Sequence, residues 1–481
     1  MFPLPPARFA ALLLMAVSCT ATDLERRIDL AAGASTLRGF AGIDVVELAT
    51  GKTIYRLNEN RLFLPASNMK LFTSALALLR LGPERRFTTQ VVLDSAGNLV
   101  LVGSGDPSLS GRVFPYQKDA AMGAGLKPIE DLAGQVVKAG VTRIAGDVAG
   151  DDRLYPWAPY APSWTQDDAL RDYGAPPSAL TVNENVIAIT VNPGDHAGDA
   201  ATLSVDPPLE YYTIDQRVET VGRGAEGKIR ISRQAGSRQV LIWGSIAAGH
   251  APVVETIAMD DPALYAACAL YDALTRRGVV IEGQPVAWHR GVADDYVAPE
   301  GRVVASRTSP PLVELLQVMD KVSQNLFAEL MLRETGRAME HMGTREAGLK
   351  EMDALLTEIG GQKDEWRMDD GSGLSRNSLV TPRLVTRLLA YMNQSRYRDP
   401  WFSLLPAGGE DGTLEHRLCC VAEGRGIHAK TGSLSRALAL SGYADSKTRG
   451  RLAFSILVND FSAPPSAVRA WIDKIAVALL E

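Results

Sequence analysis

The sequence predicts an α/β (α+β) fold interrupted by a large, mainly β insertion. Three observations carry this reading. A hairpin followed by an apolar helix stands near the N-terminus. Two apolar strands and a closing helix end the chain. Between about Phe87 and His289 the texture is different, with short alternating stretches separated by Gly, Pro, Asn and Asp. A row of independent domains is the alternative, and the location of the chemical motifs discriminates between the two.

The elements follow in order. Gly42 to Leu48 and Thr53 to Leu57 flank Ala49-Thr50-Gly51-Lys52 and read as a β-hairpin. Gly51-Lys52-Thr53 resembles the end of a phosphate-binding loop, but that loop needs a glycine where Val46 stands. A helix opens at Pro65-Ala66-Ser67, shows Met69, Phe72, Leu76 and Leu79 at helical spacing, and stops at Leu81-Gly82-Pro83. Within the insertion, Phe87 to Leu93, Leu99 to Val102, Val186 to Val191 and Val240 to Trp243 read as strands. A loop rich in Pro, Trp and Tyr runs from Tyr155 to Pro177. Pro262 to Gly278 reads as a helix and Val279 to Ile281 as a short strand. Helical patterning returns from Pro311 to about Gly360 and from Val385 to Met392. Ser433 to Tyr443 and Leu452 to Val458 read as strands, and Ala467 to Leu480 as the closing helix. The predicted boundaries are 22–86 and 290–481 for the two parts of the main domain and 87–289 for the insertion.

Residues 1–21 stand apart. Arg8 is their only charge, Phe9 to Val17 is apolar throughout, and small residues follow through Ala21. This is the pattern of a cleaved secretory signal, so the protein is expected to be periplasmic or secreted. The apolar run is far short of the roughly 18–20 residues a membrane span needs. Cys19 offers lipid anchoring as an alternative, but Ala16 stands where lipoprotein signals usually carry Leu.

Composition removes several functions. The 481 residues are 46% hydrophobic and 22% charged, enough for a sizeable core. Their formal charge of −6 and 6% aromatic content lack the basic, stacking footprint of a nucleic-acid binder. The six histidines are scattered, and no Cys/His spacing matches a zinc site. Cys419 and Cys420 are adjacent, with Cα atoms ~3.8 Å apart across a trans peptide. That is below the ~4.4 Å lower end of ordinary disulfides, which leaves Cys268 as the only partner for either after signal removal. The sequence carries no signal for oligomeric state.

Chemistry is concentrated in three short motifs. Ser67-Asn68-Met69-Lys70 is the only Ser-x-x-Lys. On a helix it sets a hydroxyl and an amine on one face, and an unprotonated lysine can take the serine proton. Lys430-Thr431-Gly432 is the only Lys-Thr-Gly and precedes an apolar alternating stretch. A lysine and a hydroxyl there can hold a carboxylate, and the glycine admits a close approach to the backbone. Ser323-Gln324-Asn325 and Ser375-Arg376-Asn377 are rival Ser-x-Asn motifs. Ser323 is preferred because it enters a helix, whereas Ser375 follows the glycine-rich Asp370-Gly371-Ser372-Gly373. Taken singly, each motif also reads as ordinary structure: a solvated lysine, a turn before a strand, a helix cap.

In the order Ser-x-x-Lys, Ser-x-Asn, Lys-Thr-Gly, the motifs form the signature of penicillin-binding proteins and serine β-lactamases. From about Gly42 onward the chain resembles the class C low-molecular-mass penicillin-binding proteins, the D-alanyl-D-alanine carboxypeptidase/endopeptidase family. Besides the three motifs, Gly103 to Leu109, Gly174-Ala175-Pro176 through Asn183-Glu184-Asn185, Asp370 to Arg376 and Asp411-Gly412-Thr413-Leu414 carry the resemblance. So does the long gap between Ser67 and Ser323. Gln324 departs from the Asp that the family often has there.

The resemblance implies a transpeptidase-like domain, with an antiparallel sheet flanked by helices, acting on peptidoglycan stem peptides without metal or cofactor and acylated by β-lactams. It implies Ser67 as nucleophile, Lys70 as base and Ser323 as proton relay. Asn325 would bind the substrate amide, Lys430 and Thr431 the terminal carboxylate, and the N–H groups of Ser67 and Ser433 the oxyanion, beside Gly432. The positive charge of Lys430 is expected to disfavour protonation of Lys70. Asp151 and Tyr155 would contact the amine end of the stem side chain, and Asp106 reads as a turn residue. The competing readings are a β-lactamase or esterase on the same fold and a silent peptidoglycan-binding module.

Overall fold

The computed structural model describes residues 23–33, 38–419 and 422–481. The expected signal segment and Cys420 lie outside them. Helix α1 (Asp23–Gly33) precedes the predicted hairpin, β1 (Phe40–Glu47) and β2 (Thr53–Leu57). These two strands join β3 (Ile427–Leu434), β4 (Ala437–Ser446) and β5 (Gly450–Asn459) from the other end of the chain. The sheet order is β3-β4-β5-β1-β2, with every neighbour antiparallel. The single predicted strand Ser433 to Tyr443 is therefore two, turning at Ser435 and Arg436. The Lys-Thr-Gly motif lies inside the edge strand β3 instead of before a strand.

Both faces of the sheet are buried, as the period of two requires. Leu438, Leu440, Phe454 and Ile456 face α1 and the closing helix α5 (Pro465–Ala478). Ala439, Tyr443, Ala453 and Leu457 face the opposite layer, built on α2 (Met69–Leu81), α3 (Leu312–Lys321) and α4 (Asn325–Glu340). Ten of the thirteen residues of α2 are buried, so this helix is wrapped by neighbours on all sides. It ends where Gly82 takes φ 79° and returns its N–H to the Leu78 carbonyl.

The chain between β2 and β3 also builds the insertion. Thr88–Asp94, Leu99–Val102, Val148–Asp151, Pro285–Trp288 and Gly301–Thr308 form one mixed five-stranded sheet, and six further strands form two three-stranded sheets. The strand Gly301–Thr308 pairs with Thr88–Asp94, so this sheet closes at Thr308 and not at the predicted boundary near His289. Two helices, Lys127–Lys138 and Pro262–Thr275, cover its apolar face through Ile129, Leu132, Val136, Ala266 and Leu270. The first helix was legible in the Ile129, Leu132, Ala133, Val136 spacing but is missing from the mainly β reading.

The helical stretch from Pro311 is broken into α3, α4 and a third helix, Arg345–Glu358. The first break falls at residues 322–324 and holds the Ser-x-Asn serine. Cys268 is a half-buried free thiol on the helix Pro262–Thr275. No helix among the described residues is long and apolar enough to cross a membrane.

Ile456 is wholly buried in the central strand β5 between two layers that cannot close over a void. Ile456→Ala should therefore lower stability by about 3 kcal/mol, read as a reduced denaturation midpoint.

Candidate active site

Ser67 sits in a 3-10 turn, Ala66–Asn68, at the head of α2. Its side chain opens into a cleft of about 610 Å³ shared with Tyr173, Ser323, Asn325, Arg376, Thr413, Thr431, Ser433 and others. The turn starts from Ala66 at φ 47°, a left-handed conformation uncommon for a residue with a Cβ. Asn68 holds it down: this buried amide donates to the Lys430 carbonyl at 2.8 Å, tying the first motif to β3.

Lys70 follows one turn later and is wholly buried. Its Nζ donates to Ser67 Oγ at 3.1 Å, Asn325 Oδ1 at 2.6 Å and the Ser372 carbonyl at 2.8 Å. Burial pushes the amine down to about 7, and the neighbouring Lys430 charge pushes the same way. The sequence pointed to the Lys430 charge; burial is the larger cause. A neutral amine has two hydrogens and one lone pair. With Asn325 Oδ1 and Ser372 O as fixed acceptors, the lone pair is left for the Ser67 proton.

The Ser372 carbonyl is itself held firmly. Glu329 on α4 accepts from the N–H groups of Gly371 at 2.9 Å and Ser372 at 3.0 Å. Asp370 accepts from Gly373 at 3.0 Å, Ser375 at 2.6 Å and Trp164 Nε1 at 3.0 Å. Ser375 of the rival motif is buried in this loop, while Arg376 reaches the cleft and pairs with Asp168 at 3.2 Å.

Ser323 lies in the break between α3 and α4 at φ 63°. It is not the helix cap: Gln324 is, its side-chain oxygen accepting from Leu326 N at 3.0 Å. Ser323 Oγ accepts from Lys430 Nζ at 2.9 Å. Asn325 spans the cleft wall, receiving Lys70 on its oxygen and donating from Nδ2 to the Tyr173 carbonyl at 2.8 Å. Its second amide hydrogen remains for a ligand.

Lys430 is as deeply buried as Lys70, and burial lowers it to about 8 against the opposing pull of Asp320. Thr431 Oγ1 meets Thr413 Oγ1 at 2.8 Å. A Cβ on Gly432 would stand 2.7 Å from the Pro65 carbonyl, so only glycine lets β3 pass this close to the serine turn. Ala429 N–H points away from β4 to the Pro406 carbonyl, and by strand alternation the N–H groups of Thr431 and Ser433 point to the same side.

Two predicted contacts do not reach the cleft. Asp151 is buried at the end of its strand and makes two 2.9 Å bonds to the Arg153 guanidinium. Tyr155 packs in the main core with its hydroxyl 3.2 Å from Glu334. Both are held by partners inside the protein, because the loop that follows folds inward before it returns to the site at Tyr173. Asp106 is a buried turn residue, accepting from Ser108 N at 2.8 Å and pairing with Arg307 at 3.1 Å. Tyr173, Arg376, Thr413 and Arg469 line the cleft without having been singled out. Arg376 and Thr413 stand in segments that carried the resemblance, which was the available signal.

Comparison with known proteins shows the family and the fold. Over 480 residues the chain is 34% identical to the D-alanyl-D-alanine carboxypeptidase of an Actinomadura species, covering 96% of this chain and 85% of the relative. It is 26% identical to penicillin-sensitive carboxypeptidase A of Dictyostelium discoideum, over 89% of this chain and 83% of that one. The fold matches the crystal structure of penicillin binding protein 4 from Haemophilus influenzae with a TM-score of 0.80 at 21% identity, covering 95% and 98% of the two chains. Residues 24–479 match the model of one family from end to end, and the chain belongs to the D-Ala-D-Ala carboxypeptidase 3 (S13) family.

Proposed function

We propose that this protein is a serine-type D-alanyl-D-alanine carboxypeptidase of peptidoglycan stem peptides, able also to cleave crosslinks as a DD-endopeptidase, and working outside the cytoplasm once residues 1–21 are removed. The observation that carries the proposal is the Lys70 amine. It is buried, held near neutrality at about 7, and 3.1 Å from the Ser67 hydroxyl. A base poised at that value extracts a serine proton at physiological pH.

The terminal carboxylate of the stem peptide binds between the Lys430 charge and the Thr431 and Thr413 hydroxyls. Ser67 Oγ attacks the penultimate D-Ala carbonyl carbon as its proton passes to Lys70. The N–H groups of Ser67 and Ser433 receive the oxyanion, each such donor being worth about 3 kcal/mol. The C–N bond breaks as a proton moves through Ser323 to the departing amine. Water then attacks the acyl-enzyme, and Ser67 recovers its proton. Asn325 holds the substrate amide with its remaining hydrogen, and its grip on Lys70 couples substrate position to the base. A β-lactam follows the first half of this path, but its amine stays tethered and the acyl-enzyme persists.

Incubation with a fluorescent penicillin should give a stable one-to-one adduct by intact mass, and Ser67→Ala should give none. Fast penicillin turnover would favour a β-lactamase, and the absence of both adduct and turnover a silent binding module. The acylation rate should also be bell-shaped in pH. It rises through about 7 as Lys70 loses its proton and falls above about 8 as Lys430 loses the charge that holds the carboxylate. A stopped-flow profile flat from pH 5 to 9 would remove Lys70 as the base.

A further inference from the structure

The middle residue of the second motif is Gln324, and the insertion reaches it directly. Gln324 Nε2 donates to Glu184 Oε2, while Gln324 Oε1 caps α4 at Leu326 N. Glu184 is itself clamped by Arg112, whose Nε donates to Oε1 and whose Nη2 donates to Oε2 at 2.9 Å. Arg112 and Glu184 both belong to the insertion, and Glu184 is buried. A chain of bonds thus runs from the insertion into the residue between Ser323 and Asn325.

Two features show that this contact is built rather than incidental. Asn183, Glu184 and Asn185 occupy the left-handed region in succession, at φ 48°, 55° and 56°. Asn tolerates that region; Glu does not favour it. Both asparagines brace the run: Asn185 accepts from Val182 N at 3.1 Å and donates to Pro176 O at 2.9 Å, and Asn183 donates to Val186 O at 2.8 Å. Strained backbone is retained where it aims a side chain, and the side chain aimed here is the Glu184 carboxylate. On the receiving side, Ser323 is also left-handed, so the motif turn needs an external hold.

The chemistry at position 324 is selective. An amide can cap a helix with its oxygen and donate to a carboxylate with its nitrogen. An aspartate can only accept, and it would set a second carboxylate against Glu184. We infer that Gln324 and Glu184 are a matched pair of positioning residues through which the insertion sets Ser323 and Asn325 against Lys430 and Lys70. The pair acts through Ser323 and Asn325 and touches no reacting atom. This inference rests on the catalytic reading above for its kinetic consequence, and the Gln324–Glu184 contact is independent of it.

The test is a charge-exchange cycle in the full chain: Gln324→Asp, Glu184→Gln, and the two together. The readouts are penicillin acylation rate, kcat and KM on a D-Ala-D-Ala peptide, and melting temperature. Gln324→Asp should lower acylation and kcat by about 30-fold with KM changed by less than about threefold. Glu184→Gln should cost about threefold to tenfold. In the double variant the amide and the carboxylate trade places, so that position 184 donates and position 324 accepts. Its activity should recover to within about threefold of the wild type. Full activity in Gln324→Asp, or a double variant reduced by the product of the single losses, would overturn the pairing. Should Gln324→Asp fail to fold, Glu184→Ala replaces it; a loss of about tenfold in kcat supports the pair and an unchanged kcat overturns it. If the wild type itself neither binds nor turns over penicillin, the catalytic reading has failed. The melting temperatures then decide the pair: rescue in the double variant supports it and additive losses overturn it.

Discussion

The site depends on burying two lysine amines side by side. Water would hold both protonated and neither would serve as a base. Under the cleft floor, desolvation favours the neutral form of both amines, and the Lys430 charge pushes Lys70 further the same way. Neutral acceptors, Ser67, Asn325 and the Ser372 carbonyl, fix where the Lys70 amine sits. Buried Asp320 pulls the other way on both amines, and on Lys430 it opposes desolvation alone. Chemically identical groups thus come to differ, Lys70 lowered to about 7 and Lys430 to about 8. The remaining architecture serves to hold these two amines at fixed positions. The wrapped helix α2 fixes Lys70, the edge strand β3 fixes Lys430, and Asn68 ties the two elements together.

The insertion contributes to the same task from outside. It reaches four segments around the cleft, each through a different bond: Tyr173 O to Asn325, Trp164 to Asp370, Asp168 to Arg376, and the Tyr116 hydroxyl to Gly412 N at 3.2 Å. These contacts come from turns and loops at the rim of the inserted sheets, where polar side chains are free to reach across. They surround the loop segments of the site, which have the least regular backbone and the greatest need of bracing.

Much of this was legible in the residues. Apolar spacing marked α2, and the near-continuous apolar run Leu452 to Val458 marked β5, because a strand buried on both faces is apolar almost throughout. The three motifs are local, so their order could be read directly. What escaped reading depends on contacts between distant segments. The turn that splits β3 from β4 is hidden by apolar residues on both sides of Ser435 and Arg436. The internal partners of Asp151 and Tyr155 were likewise out of view; Arg153 and Glu334 engage them inside the protein. The carbonyl of Ser372 carries no signal in sequence at all, since every residue has one.

An edge strand with free N–H and C=O groups ordinarily invites a second sheet, and with it aggregation. On β3 the invitation is brief. The Gly408 N–H to Ile427 O and Ala429 N–H to Pro406 O bonds occupy the first rungs of its outer side. Among the described residues, the outward N–H groups of Thr431 and Ser433 remain toward the cleft, while the Thr431 carbonyl accepts from Lys430 Nζ at 3.0 Å. That leaves an edge long enough to align one or two residues of a guest backbone and too short to template another chain. The protein can keep this edge open in a crowded environment because half of its outward rungs are already spoken for.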